Sequence, residues 1–156
     1  MFFYQSSKSK DTKKAQDLTM NNDTNLDIVD NYDRMTLIWV CKNEMTEVAL
    51  ELIKTGKFKP DYINKNGNTV LSQTCYYKMQ EVALELIKTG KSKPDHIAKD
   101  GYTAFSWACE KDMKEVAYEL VSIGAFTIND LLFLKPEWVP EELFIMKPVD
   151  VTEVDI

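Results

Sequence analysis

The sequence predicts an all-α solenoid of stacked helix pairs, and three observations carry that prediction. A segment recurs three times at a 34-residue step. Each copy carries a single apolar face at helical spacing. Turn dipeptides separate the copies at fixed places. Self-similarity at a period of this size marks a repeat architecture, in which no unit closes a core alone and each must stack on its neighbours.

The repeat is plainest in its second half. Met45-Thr-Glu-Val-Ala-Leu-Glu-Leu-Ile-Lys-Thr-Gly56 returns as Met79-Gln-Glu-Val-Ala-Leu-Glu-Leu-Ile-Lys-Thr-Gly90, then as Met113-Lys-Glu-Val-Ala-Tyr-Glu-Leu-Val-Ser-Ile-Gly124. Within it Val48, Ala49, Leu52 and Ile53 fall on one helical face, and Glu47, Glu51 and Lys54 on the other. Glu51 and Lys54 form an i,i+3 pair. Gly56, Gly90 and Gly124 stand where a left-handed residue ends a helix. The first half keeps the same step in Leu37, Leu71 and Phe105, and in Cys41, Cys75 and Cys109. It reads as a shorter helix. Thr69 and Thr103 are placed to N-cap it, two residues after the turns Asn66-Gly67 and Asp100-Gly101.

Composition agrees with one folded domain. The chain has 156 residues, of which 44% are hydrophobic, enough for a core and too many for a wholly disordered chain. No apolar run approaches the length of a membrane span. Met1 to Tyr4 is too short an apolar stretch for a secretory signal. The net charge of −6 is concentrated at the end: residues 126–156 hold two lysines against seven carboxylates. No basic stripe exists to follow phosphates, so nucleic acid is not an expected partner. Three cysteines, an odd number, suggest no disulfide framework and favour a reducing, intracellular compartment.

Residues Gly-x-Thr-x-Leu, followed by Glu-Val-x-x-x-Leu-(Ile/Val)-x-x-Gly, resemble the ankyrin repeat over roughly residues 30–128. The wording is similar to arrays encoded by giant DNA viruses and some protists, which implies a host cytoplasm. The resemblance implies an ankyrin-type solenoid of helix-turn-helix units with β-turn fingers at one edge. Three clear units are expected, at about 30–63, 64–97 and 98–131. The sequence departs from the family in four ways, one being an extra finger residue that makes the period 34 where about 33 is usual. The Thr-Pro-Leu-His box stands as Thr69-Val-Leu-Ser72 and Thr103-Ala-Phe-Ser106, without the Pro and the His. Unit one reads Met35-Thr-Leu-Ile38, with no capping Thr in register. Asp33 takes the place of the finger glycine.

The flanks are less regular. Residues 1–25 are either a disordered tail or a degenerate extra unit. Residues 129–148 are rich in apolar side chains and are expected to cap the last repeat, and 149–156 form an acidic tail. A sharper reading makes the C-terminal segment a partner-binding element. Trp138-Val-Pro-Glu-Glu-Leu143 faintly resembles the opening of an F-box, which implies an adaptor that recruits ubiquitin machinery, although only 17 residues run from Pro140 to the end. A third reading is a decayed copy of an array.

No residue pattern supports catalysis. His96 lies in a finger with no nucleophile beside it and is expected to be exposed. The cysteines occupy an interior slot, one per unit, at helix-packing distances of about 10 Å, too far apart to share zinc. No cofactor and no metal are expected. The periodic glutamates read as a solvated face. Trp39 and Trp107 recur in register, with Gln73 between them, and are expected in the core.

What remains is surface. The resemblance implies that partner contacts come from finger tips and first-helix ends. Those positions are Asn31, Tyr32, Arg34, Lys42 and Asn43 in unit one; Lys65, Asn66, Asn68, Tyr76 and Tyr77 in unit two; and Lys99, Asp100, Tyr102, Glu110 and Lys111 in unit three. These slots vary between units while the stacking slots repeat. The expected function is therefore non-catalytic binding of an unidentified protein partner by a monomer, with the tyrosines as anchors.

Overall fold

An apolar face on both helices of every pair leaves stacking as the way to bury them. A computed structural model of the protein, describing residues 36–56, 58–127 and 130, has this form. Six helices make three pairs: α1 (Thr36–Lys42) with α2 (Thr46–Thr55), α3 (Val70–Tyr76) with α4 (Gln80–Lys88), and α5 (Ala104–Glu110) with α6 (Lys114–Ser122). The first helices pack α1 on α3 on α5, and the second helices α2 on α4 on α6. No strand occurs among the described residues; the finger of unit two closes with a single antiparallel bridge between Ile63 and Thr69.

The core is the face the spacing predicts. Val48, Ala49 and Leu52, their equivalents Val82, Ala83 and Leu86, and Val116, Ala117 and Leu120 are all buried, as are Leu37, Leu71 and Phe105. Each large apolar side chain so buried contributes about 1.5–3 kcal/mol. The Lys54–Glu51 and Lys88–Glu85 pairs form at 3.8 and 3.3 Å on the outer face, where solvent leaves them little energy.

Helix ends follow local chemistry. Gly56, Gly90 and Gly124 terminate the second helices with φ of 64°, 67° and 72°, and their N–H groups donate to Ile53, Ile87 and Val121. Thr69 and Thr103 cap α3 and α5, their hydroxyls accepting from the N–H of Ser72 and Ser106. The same serines, at the slot where the box has His, bond back to the caps. Ser72 Oγ donates to the Thr69 carbonyl at 3.0 Å, and Ser106 Oγ accepts from the Thr103 N–H at 2.6 Å, which completes a capping box.

No glycine marks the turn between the two helices of each pair. Glu44, Lys78 and Asp112 all adopt φ of 58°, a left-handed conformation for residues other than glycine. It lets the N–H of Met45, Met79 and Met113 reach back to Val40, Thr74 and Ala108. These buried methionines then start the second helices without any side-chain cap.

The expected tail or worn unit at 1–25, the finger of unit one, and the acidic tail at 149–156 lie outside the described residues. So does the capping segment 129–148, apart from Asp130, and with it the F-box-like stretch from Trp138. Asp130 lies in a 3₁₀ turn. Thr127 opens that turn: its N–H and hydroxyl donate to the Asp130 carboxylate at 2.7 and 2.9 Å.

Candidate functional site

The short first helices bring their C-terminal ends and the finger tips to one side of the stack. There the side chains differ from unit to unit. Between units two and three they enclose a groove of about 310 Å³. Its polar lining is Asn64, Asn66, Asn68, Ser72, Gln73 and Asp100, and its aromatic wall is Tyr76, Tyr77 and Trp107.

The finger side is built by its own turn chemistry. Asn64 Oδ1 accepts from the N–H of both Asn66 and Asn68 at 3.0 Å, and the Gly67 N–H donates to the Asn64 carbonyl at 2.9 Å. Gly67 sits at φ +81°. A Cβ there would lie 3.0 Å from the backbone nitrogen of Lys99, because the next finger packs against it and the Lys99 N–H donates to the Asn66 carbonyl at 3.1 Å. In unit three Asp100 Oδ1 accepts from the Tyr102 N–H at 3.1 Å and shapes the second finger in a similar way.

The aromatic wall is one connected cluster. The Tyr102 ring stacks on Trp107 with centroids 4.3 Å apart. Tyr76 meets Trp107 edge-on at 4.9 Å and Tyr77 edge-on at 5.0 Å. The Lys111 ammonium lies 4.8 Å over the Tyr76 ring and 5.7 Å from Trp107, within cation–π range of both. Tyr76 is nevertheless 46% exposed, so this cluster faces solvent.

Of the residues singled out in the sequence, the groove gathers Asn66, Asn68, Tyr76, Tyr77 and Asp100 in its lining, with Tyr102 and Lys111 in the cluster beside them. Lys65, Lys99 and Glu110 are exposed but do not line it. Lys42 lies a unit away, its ammonium 5.1 Å over Trp39. Asn31, Tyr32 and Arg34 lie outside the described residues. Asn43 turns inward, its amide donating to the Trp39 carbonyl at 2.8 Å.

Two expectations need correction. Trp39 is buried as expected, but Trp107 is only half-buried and forms part of the groove wall. The slot reads Trp39, Gln73, Trp107, so it varies between units, and in units two and three it lines the groove. His96 stays in its finger loop but is half-buried, not exposed.

The thiols are placed for packing. Cys41, Cys75 and Cys109 are buried and form no disulfide. Burial pushes the Cys41 thiol up from 9.0 to about 12, partly offset by a contact with the Thr74 hydroxyl. Burial raises the Cys75 thiol further, with Cys41 and Cys109 adding to the effect. Among the described residues no group of side chains could hold a metal ion, and no helix is long and apolar enough to cross a membrane.

A stack of helix pairs with interlocking fingers and a variable aromatic groove defines a repeat scaffold. A family model for ankyrin repeats, three copies, matches residues 37–130. The chain belongs to the ankyrin-repeat family. No curated protein matches the sequence. It is similar in fold to a chain in the solved structure of the predatory endopeptidase Bd0816 from Bdellovibrio bacteriovorus in complex with immunity protein Bd3460. The TM-score is 0.64 at 22% identity, over 80% of this chain. The match spans 64% of that chain, so the present sequence is similar to about two thirds of the neighbour's length.

Proposed function

We propose that this array is a non-catalytic scaffold that binds a partner protein through the groove between units two and three. One observation carries the reading: the partly exposed cluster of Tyr76, Trp107, Tyr102 and Lys111 beside a groove lined by amide side chains. Aromatic rings with polar tips give large contact area at low entropic cost, and such side chains dominate binding energies. Amides supply hydrogen bonds in both directions. The fold neighbour is a chain from a complex of two proteins, which agrees with such a role.

The scaffold acts as a monomer in a reducing, intracellular compartment, and three buried cysteines that form no disulfide support that assignment. Glu47 to Gly56 and Glu81 to Gly90 are identical in sequence. That near-verbatim repetition supports placing the chain among arrays of the giant-DNA-virus type, and so in a host cytoplasm.

The test is differential capture. The full chain is used as bait, beside a groove variant (Asn68→Arg with Tyr76→Ala) and an outer-face variant (Glu81→Arg with Glu115→Arg). A partner retained by the wild type and the outer-face variant, and lost by the groove variant, supports the reading. A partner retained by the groove variant and lost by the outer-face variant overturns it.

A further inference from the structure

Charge is segregated across this array. On the side of the finger tips and first-helix ends, the described candidate residues include four lysines (Lys42, Lys65, Lys99, Lys111) against two carboxylates (Asp100, Glu110). The opposite face, made by α2, α4 and α6, carries six glutamates (Glu47, Glu51, Glu81, Glu85, Glu115, Glu119) against Lys54, Lys88 and Lys114. Among these candidate positions the lysines outnumber the carboxylates, although the chain's net charge is −6.

The groove's own hydrogen-bonding groups point the same way. The ion pairs among the described residues are Lys54–Glu51 and Lys88–Glu85, and Lys111 is in neither. Its ammonium is held instead against the Tyr76 and Trp107 rings, half-buried, with its donors unmatched by a carboxylate. Holding it there in advance lowers the entropy lost when it meets an anion. Asp100, the one carboxylate in the lining, already uses an oxygen on the Tyr102 N–H. Hydrogen bonds among the described residues use the backbone N–H of Asn66 and Asn68 but not their side-chain amides, nor that of Gln73. These three amides line the groove together with the aromatic wall.

We propose that the groove takes an extended acidic segment of the partner protein. One carboxylate seats on the Lys111 ammonium, and the segment's backbone is met by the amides of Asn66, Asn68 and Gln73. This inference rests on the binding role proposed for the groove and names the chemistry of its occupant. Steering by the wider lysine set makes the affinity salt-dependent.

The experiment uses the full chain and three fluorescein-labelled octapeptides that carry Glu, Gln or Lys at the same four positions. Fluorescence anisotropy is read at low and high salt. The Glu peptide is expected to bind about tenfold more tightly than the Gln peptide, and less tightly as salt rises. Lys111→Met should erase that preference, and Lys111→Glu should reverse it toward the Lys peptide, with circular dichroism showing that both variants are folded. If the Gln or Lys peptide binds the wild type as well as the Glu peptide, and Tyr76→Ala still abolishes binding, the acidic occupant is wrong while the groove reading stands. If none of the peptides binds, the extended-segment occupant falls, and differential capture by the groove variant decides the groove reading separately.

Discussion

The Asp130 carboxylate accepts a hydrogen bond from the Thr103 hydroxyl at 2.5 Å, across 27 residues of chain. Thr103 is the N-cap of α5, so the turn that follows unit three is fastened to the start of that unit's first helix. The other carboxylate oxygen takes the N–H and hydroxyl of Thr127. Asp130 is 2% exposed. A carboxylate so buried is tolerable because its hydrogen bonds are made.

Removing it takes the acceptor away from the buried Thr103 hydroxyl and from the half-buried Thr127 N–H and hydroxyl. Asp130→Ala is expected to lower stability by about 1–3 kcal/mol, measured by urea unfolding followed by circular dichroism. Asp130→Asn, which keeps an acceptor oxygen, should cost less. A double-mutant cycle with Thr103→Val should be non-additive, because the two side chains share one bond. Additive losses would mean that the contact carries no coupling.

The left-handed turns invite a gain. Lys78 holds φ of 58° with a side chain that disfavours it. Lys78→Gly is expected to stabilise the array by about 1 kcal/mol, since glycine adopts that conformation without the Cβ penalty. Lys78→Ala keeps the penalty and should change little. The midpoint of urea unfolding separates the two.

Ser92 is a misfit of another kind. Its hydroxyl is buried with no hydrogen-bond partner, in the register slot that holds Phe58 in unit one and Phe126 in unit three. Ser92→Ala removes the unpaired polar group and should raise stability by about 1 kcal/mol. A fall on this substitution would mean that the hydroxyl has a partner in solution.

The buried thiols set a pH dependence. The folded values of Cys41 and Cys75 lie above 9.0, so unfolding releases protons once the pH exceeds the unfolded value. Their stability contribution is therefore complete below about pH 8.5 and declines as pH climbs toward 12 and beyond. Cys75→Ala should flatten the alkaline part of that profile. Near pH 8 the native array should resist iodoacetamide at both sites, and unfolded chain should be alkylated readily.

The fold was legible because stacking slots must repeat: the 34-residue step, the capping threonines and the terminal glycines are each dictated by backbone geometry that every unit shares. The turns at Glu44, Lys78 and Asp112 were not, because their conformation is imposed by packing and no glycine or asparagine marks it. The candidate groove was half legible. Tyr76, Tyr77, Asn66 and Asn68 stood out because their slots vary. Trp107 was hidden by its apolarity, which made a half-exposed wall read as core. Asp130 was hidden because it leaves the repeat pattern: its counterpart one unit back is His96, so no register argument reaches its bond to Thr103.

Site-specific photocrosslinking decides whether the partner sits on the groove between units two and three. A photoreactive residue replaces Asn68 in one chain and Glu81 in another, and both are irradiated in an extract that contains the partner. A discrete adduct is expected from position 68 and none from position 81. An adduct from position 81 alone would contradict this placement and move the binding surface to the outer helices.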